Sequence, residues 1–301
     1  EDFIVEEVIE LDKRQGNYLY AKLVKKNYNT IDAINLISKV LNIQRNDIGF
    51  AGNKDKVAIT TQYISLYKVK KEDLLKLNIK DIKVIPLYSG FTPIFLGQLT
   101  GNNFRIKNDL KLRRLRLDAM VNYYGEQRFS SNNKDVGKAI LLKNYKKACL
   151  LINDTKVNSL LKINNNAEKA LKLLDRRLLS LYINAFQSYL WNEIAKSYIR
   201  ENYRKYITYK DLLFIERPKT NVTIPLISYD TKFKNPLVKR IYFNLMRKEG
   251  ITQENYEYGL LPKLISKTGY RQLFIKVRNF RISRDHIEFF LPKGSYATIF
   301  I

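Results

Sequence analysis

The first part of the chain alternates between apolar and polar residues, as half-buried β-strands do. Over residues 17–24, Leu19 and Leu23 fall on one face and Tyr18 and Lys22 on the other. This two-residue period is that of a strand with one face packed on a core. The pattern therefore predicts that the chain begins its fold with a β-sheet.

The period then changes to that of a helix. Thr30 is placed to cap a helix whose apolar face carries Ile34, Ile37 and Leu41. Beyond it, the pattern predicts a strand-rich part, a helix-rich part and a second strand-rich part. The predicted strands are 48–50, 57–66, 80–87, 97–106, 272–277, 286–291 and 296–301, and the predicted helices are 71–78, 110–122, 134–145 and 167–202.

This order of elements predicts an α+β fold. The strands near the end of the chain have few local partners, so we expect them to return to the N-terminal sheet. The sheet would then be mixed and mainly antiparallel, built from N- and C-terminal segments. The helix-rich middle would be an insertion between them.

The charge of the chain points to a polyanionic partner. Its 301 residues contain 54 Lys and Arg against 29 Asp and Glu, a formal net charge of +25. Such a field attracts nucleic acid first, and 21 Tyr and 15 Phe supply many rings on which bases can stack. An AT-rich genome would also enrich Lys and Tyr, although it need not leave acidic residues so scarce.

Several classes of chemistry find no support in the sequence. One cysteine, Cys149, and one histidine, His286, exclude a disulfide framework and a cysteine-ligated zinc site. No carboxylate cluster has metal-ligand spacing, so we expect no metal site. No apolar run approaches the ~20 residues of a membrane span, and no secretory signal pattern is present. We therefore expect a cytoplasmic protein that contacts no membrane.

The segment 50–62 is the strongest candidate for chemistry. It is predicted to be a strand, a Gly-led turn and a second strand, with Asp55 between Lys54 and Lys56 at the turn. Aspartate is ionised at neutral pH, and the two ammonium groups would favour that form. A lone Asp in such a turn is more often a capping residue than a catalytic one, so this segment alone leaves both interpretations open.

Further motifs give the segment a context. Gly52-Asn53-Lys54-Asp55-Lys56-Val57-Ala58-Ile59-Thr60-Thr61-Gln62 resembles the Gly-x-Lys-Asp-x-x-Ala-x-Thr-x-Gln signature of the TruD family of tRNA pseudouridine synthases. Six other elements resemble motifs of that family, in the same order along the chain. They are Glu1–Glu7, Lys25 with Asn29-Thr30, Leu99–Phe104, Asn122–Phe129, Gln187–Asn192 and Leu291–Thr298. Any one short motif would be weak evidence, but seven in order are strong.

The resemblance implies a reaction and a division into domains. The reaction is isomerisation of uridine to pseudouridine in tRNA, most often at position 13, and it needs no cofactor. The implied fold is a pseudouridine-synthase catalytic domain of residues 1–147 and 265–301, with an inserted TRUD-type domain of residues 148–264. We expect a monomer, archaeal-like and short for the family, with tRNA as its partner.

The resemblance also assigns roles to particular residues. Asp55 would be the catalytic carboxylate, acting as a nucleophile at the sugar or as a base on a sugar proton, and Tyr124 would stack on the target base. Residues with candidate roles in binding the substrate or its base are Asn122, Gln127, Arg128, Lys25 and Lys54. Basic residues of the predicted helix 110–122 that would contact RNA phosphates are Arg113, Arg114 and Arg116.

Two departures and one alternative accompany this assignment. Ser130 stands where the family usually has Gly, and the chain stops at Ile301, where the family motif continues with Arg-Glu. The alternative function is a non-catalytic RNA-binding or RNA-chaperone protein on the same fold. The presence of Asp55 argues for the enzyme.

Overall fold

The computed structural model of the protein describes residues 2–108, 118–130, 132–215, 217–218, 221–257, 264 and 267–299. Chain contacts divide it into two compact units. Unit 1 consists of Glu1–Asp118 and Lys276–Ala297, and unit 2 of Ala119–Ile275 and Thr298–Ile301. The domain boundaries expected from the resemblance, at 147/148 and 264/265, stay a prediction.

Unit 1 is built around one sheet. Its strands are β1 Phe3–Val8, β2 Tyr18–Lys26, β3 Ile48–Phe50, β4 Ile59–Tyr67, β5 Ile82–Gly90, β6 Gly101–Lys107, β13 Arg278–Ile282 and β14 His286–Pro292, and its helices are α1 Thr30–Leu41 and α2 Lys71–Leu75. In the described residues these strands have the order β13-β14-β6-β1-β4-β2-β5, and β3 pairs with β4. Only β1 and β4 among these pairs run parallel. The mixed, mainly antiparallel sheet from both ends of the chain is thus confirmed.

The apolar core of unit 1 lies between α1 and the sheet. The side chains of Ala33, Ile34 and Ile37 are fully buried, as the i, i+3, i+4 spacing of an amphipathic helix requires. They pack against alternating residues of β2 and β4, among them Leu23 and Ile64. This packing fixes the ends of both strands, and the β3–β4 connection carries Asp55.

Unit 2 is mainly helical in its described part. Its helices are α3 Asn133–Leu141, α4 Tyr145–Ile152, α5 Thr155–Asn164, α6 Ala167–Lys172, α7 Arg176–Asn202 and α8 Pro236–Glu249, and its short strands are β7 Ala119–Val121, β8 Ile207–Tyr209, β9 Leu212–Phe214, β10 Thr223–Leu226, β11 Gly269–Gln272 and β12 Phe274–Lys276. The strands pair two by two, as β7 with β12, β8 with β9, and β10 with β11. The core surrounds α7, where Phe186 and Trp191 are almost completely buried.

Several predicted elements differ from the structure, among them the following three. The predicted helix 167–202 is two helices, because Asp175 caps a new helix by accepting a hydrogen bond from the Arg177 backbone N–H. Residues 119–121, predicted to be helical, form β7, while 109–117 lie outside the described residues. The predicted final strand is wrong, because Ala297–Ile299 form a 3₁₀ turn after Gly294, whose φ is +79°.

Among the helices that the structure describes, none combines the length and the apolar character needed to cross a membrane.

Candidate active site

The loop of residues 51–58, called the Asp55 loop below, joins β3 to β4. Lys25 lies on β2 opposite Thr60 at the start of β4, and its side chain is only 1% exposed. Its Nζ donates hydrogen bonds to the backbone carbonyls of Tyr28 at 2.6 Å and Asp55 at 3.0 Å. An ammonium group thus fixes the backbone of the loop from inside the sheet.

Burial has a direct electrostatic effect on Lys25. Removal from water disfavours the charged form and lowers the pKa of Lys25 to about 8, while the charge of Asp55 opposes this shift and that of Lys54 adds to it. Lys25 therefore loses its proton at a lower pH than an ordinary lysine, in mildly alkaline solution.

A buried ion pair fixes the next residue of the loop. Lys54 and Glu7 are 8% and 4% exposed, and the Lys54 ammonium donates to a carboxylate oxygen of Glu7. The other Glu7 oxygen accepts from the Tyr63 backbone N–H at 3.1 Å. The parallel register of β1 and β4, with Glu6 opposite Thr61, brings Glu7 to this position. The sequence predicts the Lys54 ammonium beside the Asp55 carboxylate, but in the structure that ammonium pairs with Glu7.

Thr30 stabilises the loop rather than capping α1. The cap is Asn29, whose Oδ1 accepts from the Asp32 backbone N–H at 2.8 Å. The Thr30 hydroxyl accepts from the Lys54 backbone N–H at 2.9 Å and donates to Gln62 Oε1 at 2.8 Å. The predicted cap is therefore wrong by one residue.

Asp55 itself is exposed at the surface of this fixed loop. Within the described residues of unit 1, its carboxylate accepts no hydrogen bond and forms no ion pair. The backbone is thus immobilised by Lys25 and Lys54, while the carboxylate points to solvent and can meet a ligand.

The segment Asn122–Tyr124, called the Tyr124 segment below, is the counterpart in unit 2. Asn122 is 7% exposed. Its backbone N–H donates to the Leu273 carbonyl at 2.8 Å, its amide donates to the Gln272 carbonyl at 3.2 Å, and its Oδ1 accepts from Arg271 Nη2 at 2.6 Å. The Asn122 side chain is thus hydrogen-bonded to other residues of unit 2, and its predicted role at the substrate stays a prediction.

Tyr124 has its backbone fixed by one side chain of α7. Asn192 Oδ1 accepts from the Tyr124 N–H at 2.9 Å, and Asn192 Nδ2 donates to the Tyr124 carbonyl at 3.0 Å. The ring is half-buried and meets the Trp191 ring edge to face at 5.8 Å between centroids. Asn192 therefore fixes the backbone of the Tyr124 segment through both of its amide atoms.

Tyr123 connects the segment to the β8–β9 hairpin. Its hydroxyl donates to the Leu213 carbonyl at 3.0 Å and accepts from the Leu213 N–H at 3.3 Å. Burial raises the pKa of the Tyr123 phenol, so the proton needed for the first bond is retained at all moderate pH values.

The remaining predicted residues of this motif lie on a 3₁₀ turn, Glu126–Arg128. Gln127 is exposed, whereas Arg128 is half-buried and its Nε donates to Ser188 Oγ at 3.2 Å. Ser130 follows with φ of 45°, a left-handed conformation that favours glycine. This conformation gives a physical reason for the Gly that the family usually has there.

A cavity of about 520 Å³ adjoins the Tyr124 segment within unit 2. This volume falls in the ~300–1,000 Å³ range of small-molecule sites. Its lining combines aromatic rings with polar groups from the motif, α7 and the hairpin: Tyr124, Glu126, Gln127, Phe129, Asn192, Tyr209, Lys210, Leu212, Phe214, Thr298 and Ile299. A flat ring with polar edges would find both stacking surfaces and hydrogen-bond partners here.

The predicted site residues thus form two groups, one in each unit. Lys25, Lys54 and Asp55 lie in unit 1, and Asn122, Tyr124, Gln127 and Arg128 in unit 2. The predicted phosphate contacts at Arg113, Arg114 and Arg116 lie outside the described residues. Within the described ranges, no three His, Cys, Asp or Glu side chains are grouped as a metal site requires.

The sequence did not single out three residues that the structure places at these groups. Glu7 and Gln62 belong to quoted motifs, and their position in those motifs was the only signal available. Arg271 lies in no motif, and it reaches Asn122 across 149 residues of chain. No local pattern could have identified it.

Comparisons with known proteins cover the whole chain. A family model described as tRNA pseudouridine synthase D (TruD) matches residues 1–159, 153–214 and 209–301. The chain is 30% identical to the probable tRNA pseudouridine synthase D 1 of Methanococcus maripaludis, over 100% of this chain and 96% of that protein. It is 28% identical to the probable tRNA pseudouridine synthase D of Archaeoglobus fulgidus, over 100% of this chain and 92% of that protein.

The fold has a counterpart among solved structures. It is similar to the crystal structure of the putative tRNA pseudouridine synthase D from Methanosarcina mazei, with a TM-score of 0.71, 24% identity, and coverage of 99% of this chain and 90% of that one. This similarity confirms the α+β fold.

Proposed function

Because the chain belongs to the TruD family of tRNA pseudouridine synthases, we propose that Asp55 is the carboxylate with which it isomerises uridine to pseudouridine. The reaction cleaves the bond between the ribose and N1 of the base, turns the base and joins its C5 to the ribose; C5 then gives up its proton and N1 takes one up. Substrate and product are isomers, so the atoms balance without any co-substrate.

The geometry of the Asp55 loop is the observation that carries this proposal. A group that attacks the sugar or removes a sugar proton must reach the ribose while its own backbone stays in place. Asp55 has an exposed carboxylate on a backbone fixed by Lys25 and Lys54. Both roles of the carboxylate are compatible with this arrangement.

We propose that the cavity beside Tyr124 receives the target base. A base removed from its helix loses stacking energy, and an aromatic platform restores ~1–3 kcal/mol of it. Tyr124 supplies a ring at the cavity wall, and Gln127 supplies an amide whose two kinds of polar atom match the uracil edge.

The proposed substrate is tRNA, with position 13 in the D arm as the target site. The net charge of +25 favours a polyanion of that size. We further propose that the protein acts as a monomer in the cytoplasm; light scattering of the purified chain at working concentration tests the monomer.

The experiment is pseudouridine mapping on unmodified tRNA, by carbodiimide treatment and primer extension, with wild type, Asp55→Ala and Asp55→Asn. We expect one modified uridine with the wild type and a loss of roughly 10³-fold or more in both variants. Asp73→Ala on α2, another exposed acid of unit 1, is the matched control and should act like the wild type.

Three results would count against the proposal. Full product from Asp55→Ala would remove Asp55 from the chemistry. Product at another uridine would leave the enzyme but refute position 13. Tight, salt-sensitive tRNA binding by a wild type that makes no product would favour the non-catalytic RNA-binding protein.

A further inference from the structure

Arg271 on β11 contacts every residue of the Tyr124 segment. Its Nε donates to the Asn122 carbonyl at 2.7 Å, and its Nη2 donates to Asn122 Oδ1 at 2.6 Å and to the Tyr123 carbonyl at 3.3 Å. These bonds come from two nitrogens of one planar guanidinium group. The plane of that group is therefore fixed by the backbone it contacts.

The same guanidinium lies over the aromatic rings of the site. Its carbon is 4.1 Å from the centroid of the Tyr124 ring and 5.4 Å from that of Trp191. Tyr124 belongs to the described lining of the 520 Å³ cavity, whereas Arg271 does not. The cation thus lies against the Tyr124 ring without forming part of the described cavity lining.

We propose that Arg271 is a positioning residue, which fixes the Tyr124 ring from behind so that the target base stacks on it from the cavity. The proposal rests on the proposed role of Tyr124 as the base platform. The cation is attracted by the face of the ring, and its hydrogen bonds prevent the segment from shifting along it. Lysine has the charge but not the planar fork, so it cannot make both kinds of contact.

The test compares full-length Arg271→Lys and Arg271→Met with the wild type. The measurements are thermal unfolding, tRNA affinity and the single-turnover rate of pseudouridine formation. We expect both variants to lose roughly 10- to 100-fold in rate, the cost of a misplaced reaction partner, with tRNA affinity changed less than threefold. Arg240→Met is the matched control, since Arg240 pairs with Glu201 at the exposed surface of unit 2, and its rate should equal that of the wild type.

Two further readouts separate positioning from simple loss of structure. Trp191 is the only tryptophan of the chain, so its fluorescence emission should change in Arg271→Met and remain unchanged in Arg240→Met. Arg271→Ala with added methylguanidinium should regain part of the lost rate.

A double-mutant cycle with Tyr124→Ala decides whether Arg271 acts through the ring. If it does, adding Arg271→Met to Tyr124→Ala lowers the rate by less than threefold further. A full, independent rate loss in the double variant would overturn the proposal, and so would wild-type rates for Arg271→Lys or Arg271→Met. A wild type that forms no product refutes the proposed function instead, and the Trp191 emission then tests the contact alone.

Discussion

In unit 1 the Asp55 loop is fixed by buried ammonium and carboxylate groups, whereas in unit 2 the Tyr124 segment is fixed by amide and guanidinium hydrogen bonds and by aromatic rings. Lys25 and the Glu7–Lys54 pair are nearly inaccessible to water. The contacts of Asn192 and Arg271 with the Tyr124 segment lie in partly buried surroundings. The two units thus use different forces to immobilise the backbone of a predicted functional segment.

This difference in stabilising contacts predicts how each region responds to substitution. Buried charges lose their hydration, and only a complete set of partners repays that cost. The Asp55 loop should therefore depend strongly on each partner and on pH. The amides and rings around the Tyr124 segment are uncharged, and its charged partner Arg271 is only partly buried, so the loss of one contact carries a smaller penalty there. The Tyr124 segment should therefore lose precision before it loses stability.

The largest effect should follow from removing one member of the buried ion pair. Lys54→Met leaves the Glu7 carboxylate buried without its cation, which should lower the free energy of unfolding by ~3–5 kcal/mol. Chemical denaturation of the full chain measures it. The control is Lys172→Met, which removes an exposed ion pair with Glu168 worth only ~0.5 kcal/mol or less. If Lys54→Met lost no more stability than Lys172→Met, the buried ion pair would not be what stabilises the Asp55 loop.

Glu7→Gln in the Lys54→Met background sharpens the same point. The double variant removes both charges but keeps an acceptor for the Tyr63 N–H. It should recover most of the stability that Lys54→Met loses. Failure to recover would mean that the packing of Lys54, rather than the charge of Glu7, stabilises the loop.

A smaller, pH-dependent effect should come from Lys25. Its pKa is about 8 in the folded protein against 10.5 for an ordinary lysine, so between these values the unfolded chain binds more protons. By linkage, the contribution of this group to the free energy of unfolding rises with pH through this window, by up to about 3 kcal/mol.

Urea unfolding of the wild type and of Lys25→Met from pH 7 to pH 10.5 measures this contribution as the difference between two curves. The wild-type curve should rise relative to that of the variant above pH 8. Parallel curves throughout would show that Lys25 keeps its proton and that the loop is less sensitive to pH than its burial implies.

The smallest effect should come from Ser130 in unit 2, which no buried charge contacts in the described structure. Its φ of 45° costs a serine more than a glycine, although glycine loses more entropy on folding. Ser130→Gly should therefore stabilise the chain by ~0.5 kcal/mol. Ser159→Gly inside α5 is the control and should destabilise the chain, because a helix interior disfavours glycine. Equal changes in the free energy of unfolding for both variants would rule out backbone strain at Ser130 as the explanation.

Local patterns predicted the parts of this molecule that depend on neighbours in sequence. The alternation of apolar residues located β2, and the run of apolar residues followed by a Gly turn located the connection that carries Asp55. The return of the C-terminal strands to the N-terminal sheet was also predicted, because strands without local partners must pair elsewhere, and the structure shows this in the pairing of β14 with β6. These predictions rest on periodicity and on unsatisfied backbone groups.

Contacts between distant residues were not predictable in the same way. Lys54 was expected beside Asp55 because the two are adjacent in sequence, but the parallel register of β1 and β4 brings Glu7 to its ammonium. Thr30 and Asn29 are both preferred cap residues, and in the structure Asn29 caps the helix while the Thr30 hydroxyl accepts from the Lys54 N–H. Arg271 carries no signal at all until β11 is placed beside the Tyr124 segment.

The residues that fix the Asp55 loop are synthesised before the sheet of unit 1 is complete. Glu7, Lys25, Thr30 and Gln62 all precede the end of β4, so every group that fixes the loop is synthesised early. The sheet that surrounds it is completed only when β14 pairs with β6. At about 5–20 residues per second, this leaves the edge of β6 unpaired for tens of seconds. A nascent chain can thus assemble its Asp55 loop well before its sheet is protected from aggregation.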